Sequence, residues 1–366
     1  MIESSKKPRC GVVVMAGGTG GHIFPALAVA EHLRSRGWPV CWLGTRQGLE
    51  ARLVPAREFP IEWIEVRGLR GSGLKRWLGA PMTLARAVWQ ARAALRRQRP
   101  GVVLGMGGFT AGPGGLAAWL MGIPLVIHEQ NRLPGLTNRV LSWIATRVFE
   151  AFPGSFPPFC QARRCGNPVR EDILALAKPS QRFEKREGPL RLLVLGGSQG
   201  ASALNRLVPE GLAGFAAIHP LAIWHQTGPA DLNATQEHYQ RLGLMAEVTG
   251  FIEEMAAAYA WADLVIARSG ALTLAELAAA GVGSILVPFP FAVDDHQTHN
   301  AAFFADMGAA WLLPQGELTA GALTRLLVER VPNRQALLKP AEAARALAHP
   351  DATEILASAC QEVARS

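Results

Sequence analysis

From residue 11 almost to the C-terminus, short apolar runs alternate with stretches in which apolar positions recur every three to four residues. Runs too short for isolated helices, separated by helical periodicity, predict strands joined by crossover helices. In the first half the strands are expected at 11–15, 40–43, 61–66, 102–104, 125–127 and 148–150, and in the second at 190–195, 223–226, 247–249, 264–267, 284–287 and 310–313. Pro25 carries the fixed φ suited to a first helical position, so a helix is expected to open there and run through Leu27, Ala30 and Leu33 to a stop at Gly37. The alternation lapses in 151–158, rich in Pro and Phe, and again in the polar run 178–188; these lapses bracket a domain boundary. The tail from Thr319 is helical only, and its last helix is expected to cross back onto the first domain. The class is therefore α/β: two Rossmann-like, doubly wound parallel-sheet domains facing a cleft, spanning 1–164 and 165–345, with 346–366 as the crossing helix.

Composition narrows the setting. A chain of 366 residues with 49% hydrophobic content can bury two cores, and its net charge of +8 calls for an anionic partner. Five scattered cysteines without a CxxC pair argue for reduced thiols over disulfides or zinc. Residues 101–127 carry no charge, but their glycines and prolines break the stretch into strand, turn, short helix at 116–121 and strand, not a membrane span.

Candidate chemistry gathers where strands end. The strand at 11–15 leads into Gly17-Gly18-Thr19-Gly20-Gly21-His22, and that at 190–195 into Gly196-Gly197-Ser198-Gln199-Gly200-Ala201. Such turns aim backbone N–H groups and the positive end of a helix at one spot, which suits a phosphate or a developing anion. GxGxxG order is absent, no acidic residue closes the second strand, and no GK[ST] follows, so neither a dinucleotide fingerprint nor a P-loop is present. His22, able to titrate near neutral pH, is the candidate general base, the plain alternative being a histidine that caps the turn. Glycines from Gly105 to Gly115, including Gly107 and Gly108, read as a loop that lets backbone approach a large anion, or else as an elaborate tight turn. His128-Glu129-Gln130-Asn131 follow the next strand, and Glu129 is the second choice of base.

In the second half Arg268-Ser269-Gly270 opens a helix over Ala271, Leu272, Thr273, Leu274, Ala275 and Glu276. Ser269 and the first-turn amides suit a diphosphate and Glu276 suits ribose hydroxyls; the plain reading is an N-cap and a solvated carboxylate. Asp294-Asp295-His296-Gln297 follow the next strand and supply groups that read sugar hydroxyls. No Asp-x-Asp occurs, so neither metal nor organic cofactor is expected, and charge on a leaving diphosphate falls to helix ends, hydroxyls and Arg170. Between 66 and 128 nine arginines and lysines and no acid are interleaved with Leu and Trp, densest at Leu74, Lys75, Arg76, Trp77 and Leu78. That composition suits an anionic membrane surface; a solvated face is the plain alternative, and nucleic acid is disfavoured for want of a binding module.

Taken in order, these glycine turns, His128-Glu129-Gln130-Asn131, Gly166-Asn167-Pro168-Val169-Arg170 and Arg268 to Thr273 resemble the MurG family, the bacterial peptidoglycan N-acetylglucosaminyltransferases, over nearly the whole chain. The resemblance implies the GT-B fold and metal-independent, inverting transfer of GlcNAc from UDP-GlcNAc to the C4 hydroxyl of undecaprenyl-diphospho-MurNAc-pentapeptide (lipid I). It also implies a peripheral position on the cytoplasmic face of the inner membrane. Thr19, Gly20, Gly21, Asn131, Arg170, Ser198, Ile252, residues 271–276 and Gln297 would bind the donor, while Gly17, Gly18, Gly107 and Gly108 would receive the acceptor diphosphate. A glycosyltransferase acting on a diacylglycerol-type lipid, and a non-catalytic nucleotide-sugar sensor, are the rival expectations.

Overall fold

The computed structural model describes residues 10–66, 74–184, 186–197 and 200–365, with the backbone alone for 74–80. The chain divides into two units, residues 1–168 with 349–366, and residues 169–348.

Unit 1 is built on β1 (Val12–Met15), β2 (Val40–Gly44), β3 (Ile61–Trp63), β4 (Val102–Gly105), β5 (Leu125–Glu129), β6 (Arg147–Glu150) and β7 (Arg163–Arg164). Their order is β3-β2-β1-β4-β5-β6-β7, with every pair parallel. Successive residues of a strand point to opposite faces, and here both faces are covered. Val12, Val14, Val102, Leu104 and Val126 pack with helices Gly20–Ser35 and Ala352–Arg365. Val13, Met15, Val103, Leu125 and Ile127 pack with helices Leu74–Gln98 and Ala111–Leu120. That is why the strands read as unbroken apolar runs.

Unit 2 repeats the plan with β8 (Leu190–Leu195), β9 (Leu221–Gln226), β10 (Ala246–Thr249), β11 (Leu264–Ala267), β12 (Gly283–Leu286) and β13 (Ala310–Leu312), ordered β10-β9-β8-β11-β12-β13 and all parallel. A fully buried Asp263 ties its lower edge together. It accepts from the Arg191 amide at 2.9 Å and Arg334 Nε at 3.0 Å, and it pairs with Arg186. In each sheet the chain reverses its winding direction beside the first strand, between β1 and β4 and between β8 and β11. Open α/β sheets bind ligands at the carboxyl ends of such strands.

Several local expectations need correction. The first helix begins at Gly20, so Pro25 lies inside it and not at its first position. The missing N–H of Pro25 then leaves the Gly21 carbonyl without that helical bond. The helix expected at 116–121 begins at Ala111 and absorbs Gly112, Gly114 and Gly115. Side chains at Gly114 and Gly115 would overlap Met15 and Leu141, so these two glycines serve close helix packing and are not loop residues approaching an anion. β3 stops at Trp63, short of Val66, whereas β5 runs on through His128 and Glu129. The short polar β7 carries no apolar signal and was not expected.

Candidate functional site

In unit 1 the turns after β1 and β4 lie against each other. Gly18, Gly107 and Gly108 have φ of +91°, +89° and +83°, a region that disfavours side chains. A Cβ on Gly108 would overlap the Gly17 carbonyl, and one on Gly107 would strike the His22 imidazole. Behind the first turn stands Glu50, fully buried and accepting from the Gly18 amide at 3.1 Å, the Thr45 amide at 3.0 Å and the Thr45 hydroxyl at 2.7 Å. Nothing local in the sequence marks this carboxylate, because it reaches a turn 32 residues away. Helix Gly20–Ser35 opens after Thr19, whose side chain makes no capping bond, so its first turn keeps the electropositive character suited to an anion.

His22 is the third residue of that helix and half-buried, with Nδ1 2.9 Å from Gln130 Oε1. Gln130 Nε2 in turn lies 3.0 Å from the Met106 carbonyl and 3.1 Å from His128 Nδ1, and His128 Nε2 lies 2.9 Å from the Gly166 carbonyl. Burial lowers the His128 pKa to about 4, so its ring is neutral at working pH. Glu129 is placed differently from a base. Buried, it accepts from the amides of Asn131 and Gly135 at 3.0 and 3.1 Å and from Asn138 Nδ2 at 2.9 Å. Both oxygens are committed to shaping the loop that carries Asn131, and Glu129 is withdrawn as a second base.

In unit 2 the turn after β8 has Gly197 and Gly200 at φ +77° and +80°; Ser198 lies outside the described residues. After β11, helix Ala271–Ala280 opens on Gly270, which has no side chain to cap it. The two residues before Gly270 correct the sequence reading. Arg268 donates to the carbonyls of Val287 and Pro288, each at 3.0 Å, and to Gln315 Oε1 at 2.6 Å, holding the loop after β12. Ser269 is fully buried and gives its hydroxyl to the Gln297 carbonyl at 2.8 Å, so it is neither the N-cap nor a phosphate ligand. Gln297 Oε1 accepts the Phe289 amide at 3.0 Å, while Asp294 and Asp295 sit in the left-handed region and His296 Nδ1 bonds the Val293 carbonyl at 2.6 Å.

Glu276 lies on the same helix with little exposure, taking the hydroxyl of fully buried Tyr259 at 3.0 Å. Arg170 Nη2 stands 3.9 Å from its other oxygen. Burial pushes the Glu276 pKa up to about 7, Arg170 and the Tyr259 bond oppose the rise, and Asp172 adds to it. Tyr259 had no sequence signal, being an aromatic in an apolar helix. Ile252 is buried. Among the described residues no group of three or more His, Cys, Asp or Glu is disposed to hold a metal ion.

The side chains of Leu74, Lys75, Arg76, Trp77 and Leu78 lie outside the described residues. Along the same helix Met82 and Trp89 are exposed, and on the same face of the sheet Trp119, Leu120, Leu136, Val140 and Trp143 are too, with Trp143 packed 4.6 Å from Phe159 between ring centroids. Arg97 and Arg86 are paired with Glu62 and Glu65, whereas Arg92, Arg96 and Arg139 are exposed. No helix among the described residues is long and apolar enough to cross a membrane.

Comparison with known proteins agrees with this layout. The glycosyltransferase family 28 N-terminal domain matches residues 12–150, and the glycosyltransferase family 28 C-terminal domain matches residues 191–356. The chain is 54% identical over 354 residues to the UDP-N-acetylglucosamine-N-acetylmuramyl-(pentapeptide) pyrophosphoryl-undecaprenol N-acetylglucosamine transferase of Alkalilimnicola ehrlichii, covering 97% of this chain and 99% of that one. It is 52% identical over 353 residues to the protein of the same name from Aeromonas hydrophila, covering 96% and 97%. The crystal structure of Acinetobacter baumannii MurG superposes with a TM-score of 0.85 at 44% identity, covering 96% of this chain and 99% of that one.

Proposed function

The chain belongs to glycosyltransferase family 28 and has the GT-B fold, and from that premise we propose that it moves GlcNAc from UDP-GlcNAc to the C4 hydroxyl of lipid I, giving lipid II for peptidoglycan synthesis. The relatives named for this reaction match at 52–54% identity over nearly their full length, which is what carries the reading.

In this reading unit 1 takes the lipid acceptor and unit 2 holds most of the donor. The His22 imidazole removes the proton from the C4 hydroxyl, the freed oxygen attacks the anomeric carbon, and the bond to UDP breaks with inversion, the electron pair leaving on the diphosphate. Gly17, Gly18, Gly107 and Gly108 let the acceptor diphosphate approach backbone. Residues 271–276, Arg170, Ile252, Gln297 and Ser198, with Thr19, Gly20, Gly21 and Asn131, bind the donor. Glu276 takes the ribose hydroxyls, while Arg170 and the N-terminus of helix Ala271–Ala280 meet the charge on the departing UDP without a metal. The exposed tryptophans and arginines of unit 1 rest on the cytoplasmic face of the inner membrane, each basic residue near an anionic surface contributing about 1 kcal/mol.

The test is transfer of labelled GlcNAc to purified lipid I in detergent with EDTA. Absence of product, or a strict need for added metal, contradicts the corresponding part. His22→Ala is expected to lower kcat roughly 10²-fold or more; near-normal kcat in folded variant removes His22 as the base.

A further inference from the structure

We propose that Gln130, backed by His128, is a positioning residue that locks His22 in the tautomer with its proton on Nδ1, leaving Nε2 as the lone-pair nitrogen that meets the acceptor hydroxyl. This rests on His22 being the base, and it assigns that base its working atom.

The protons can be placed one by one from the far end of the chain of contacts. The Gly166 carbonyl only accepts, so His128 Nε2, 2.9 Å away, carries a proton. His128 is fully buried and neutral, so its Nδ1 is bare and accepts. Gln130 Nε2 faces that nitrogen at 3.1 Å and the carbonyls of Met106 and His128 at 3.0 and 3.3 Å, acceptors every one. Turning the amide over would set its oxygen against the Met106 carbonyl and a bare nitrogen with no proton between them. The amide orientation is therefore fixed, and Oε1 is the atom 2.9 Å from His22 Nδ1. An amide oxygen cannot donate, so His22 Nδ1 does.

The consequence falls on the other ring nitrogen. A neutral imidazole has one proton, and with it on Nδ1 the lone pair is on Nε2, which has no hydrogen-bond partner among the described residues. A base is thereby held by a third group, as in a catalytic triad, with a neutral amide where the triad has a carboxylate. The neutral partner orients the ring without adding a negative charge beside two turns that receive a diphosphate. Gly107 completes the arrangement, since any side chain there would occupy the volume of the imidazole. Gln130 is itself buried, and its backbone carbonyl accepts from Asn167 Nδ2 at 3.1 Å.

The experiment is nitrogen NMR on the full chain labelled at histidine ring nitrogens, above neutral pH, with His22→Gln identifying the resonances. Wild-type protein is expected to show a protonated Nδ1 and a bare Nε2 at His22; a protonated Nε2 overturns the proposal outright and needs no variant to fold. In Gln130→Met the proton is expected to move largely to Nε2, with kcat falling roughly tenfold or more and KM for UDP-GlcNAc unchanged. An unchanged tautomer and kcat in Gln130→Met refute the positioning role. A confirmed tautomer with full activity in His22→Ala refutes instead the reading of His22 as base.

Discussion

Lowering the pH from 8 to 6 is expected to weaken donor binding through Glu276. Its pKa, pushed up to about 7 by burial, means the carboxylate is roughly 90% ionised at pH 8 and roughly 10% at pH 6. Only the ionised form can accept from both ribose hydroxyls, so affinity for UDP-GlcNAc should fall about ninefold, or ~1.3 kcal/mol. The sign for the free protein is opposite. A folded pKa above the ordinary 4.5 stabilises the empty fold fully below that value and loses the contribution as pH rises through 7. That contribution is of order 3 kcal/mol. Binding and stability thus pull the same proton in different directions, and donor binding near pH 6 must release it. Calorimetric titration with UDP-GlcNAc in buffers of differing ionisation enthalpy counts protons directly. The sugar nucleotide has no titrating phosphate here, whereas free UDP does, near pH 6. Release approaching one proton at pH 6, abolished in Glu276→Gln, is expected; a pH-independent affinity with no proton released would falsify the assignment of Glu276 to the ribose.

Other outcomes follow from the packing. Gly108→Ala should cost ~2 kcal/mol or more and lower kcat, because its methyl meets the Gly17 carbonyl, whereas Gly122→Ala, at φ +67° with open space around it, should cost only about 1 kcal/mol; equal melting shifts for the two would contradict interlocked turns. Asp263→Asn leaves Arg186 and Arg334 without their carboxylate and should cost about 3–5 kcal/mol in urea unfolding, with a loss under 1 kcal/mol speaking against a structural ion cluster. Replacing Trp89 and Trp143 with Ser should cut co-sedimentation with anionic vesicles tenfold or more, each buried ring contributing about 1.5–3 kcal/mol; unchanged sedimentation moves the membrane contact elsewhere.

The architecture was legible because central parallel strands, covered on both faces, must be apolar throughout, and each of the predicted runs overlaps a strand. Position within the sheet was the weaker inference. Arg163 and Arg164 form a strand at the sheet edge, where alternation is not demanded, and the ladder of β3 stops at Trp63 opposite Gly44, where β2 itself ends. Glycine misled in one stretch for a definable reason: the residue that opens backbone to a ligand also lets a helix settle on a sheet, and Gly114 does the latter. Polar residues at strand ends stand out in the sequence, yet their division of labour depends on partners distant in sequence. Glu129 turned inward to the 131–138 loop, while Gln130 reached His22, 108 residues away. Glu50 and Tyr259 were invisible because their roles consist entirely of such contacts.

The carboxylate behind Gly18 bears on how a synthetic ligand for unit 1 should be shaped. Its bond takes the Gly18 amide out of circulation and leaves the Glu50 side chain just beneath the turn. An inhibitor that looks to the strand side of that turn for a donor finds the Gly18 amide already engaged. One that places a neutral or donating group there, and shifts its acceptor oxygens toward the helix start at Gly20, meets the turn on its favourable side.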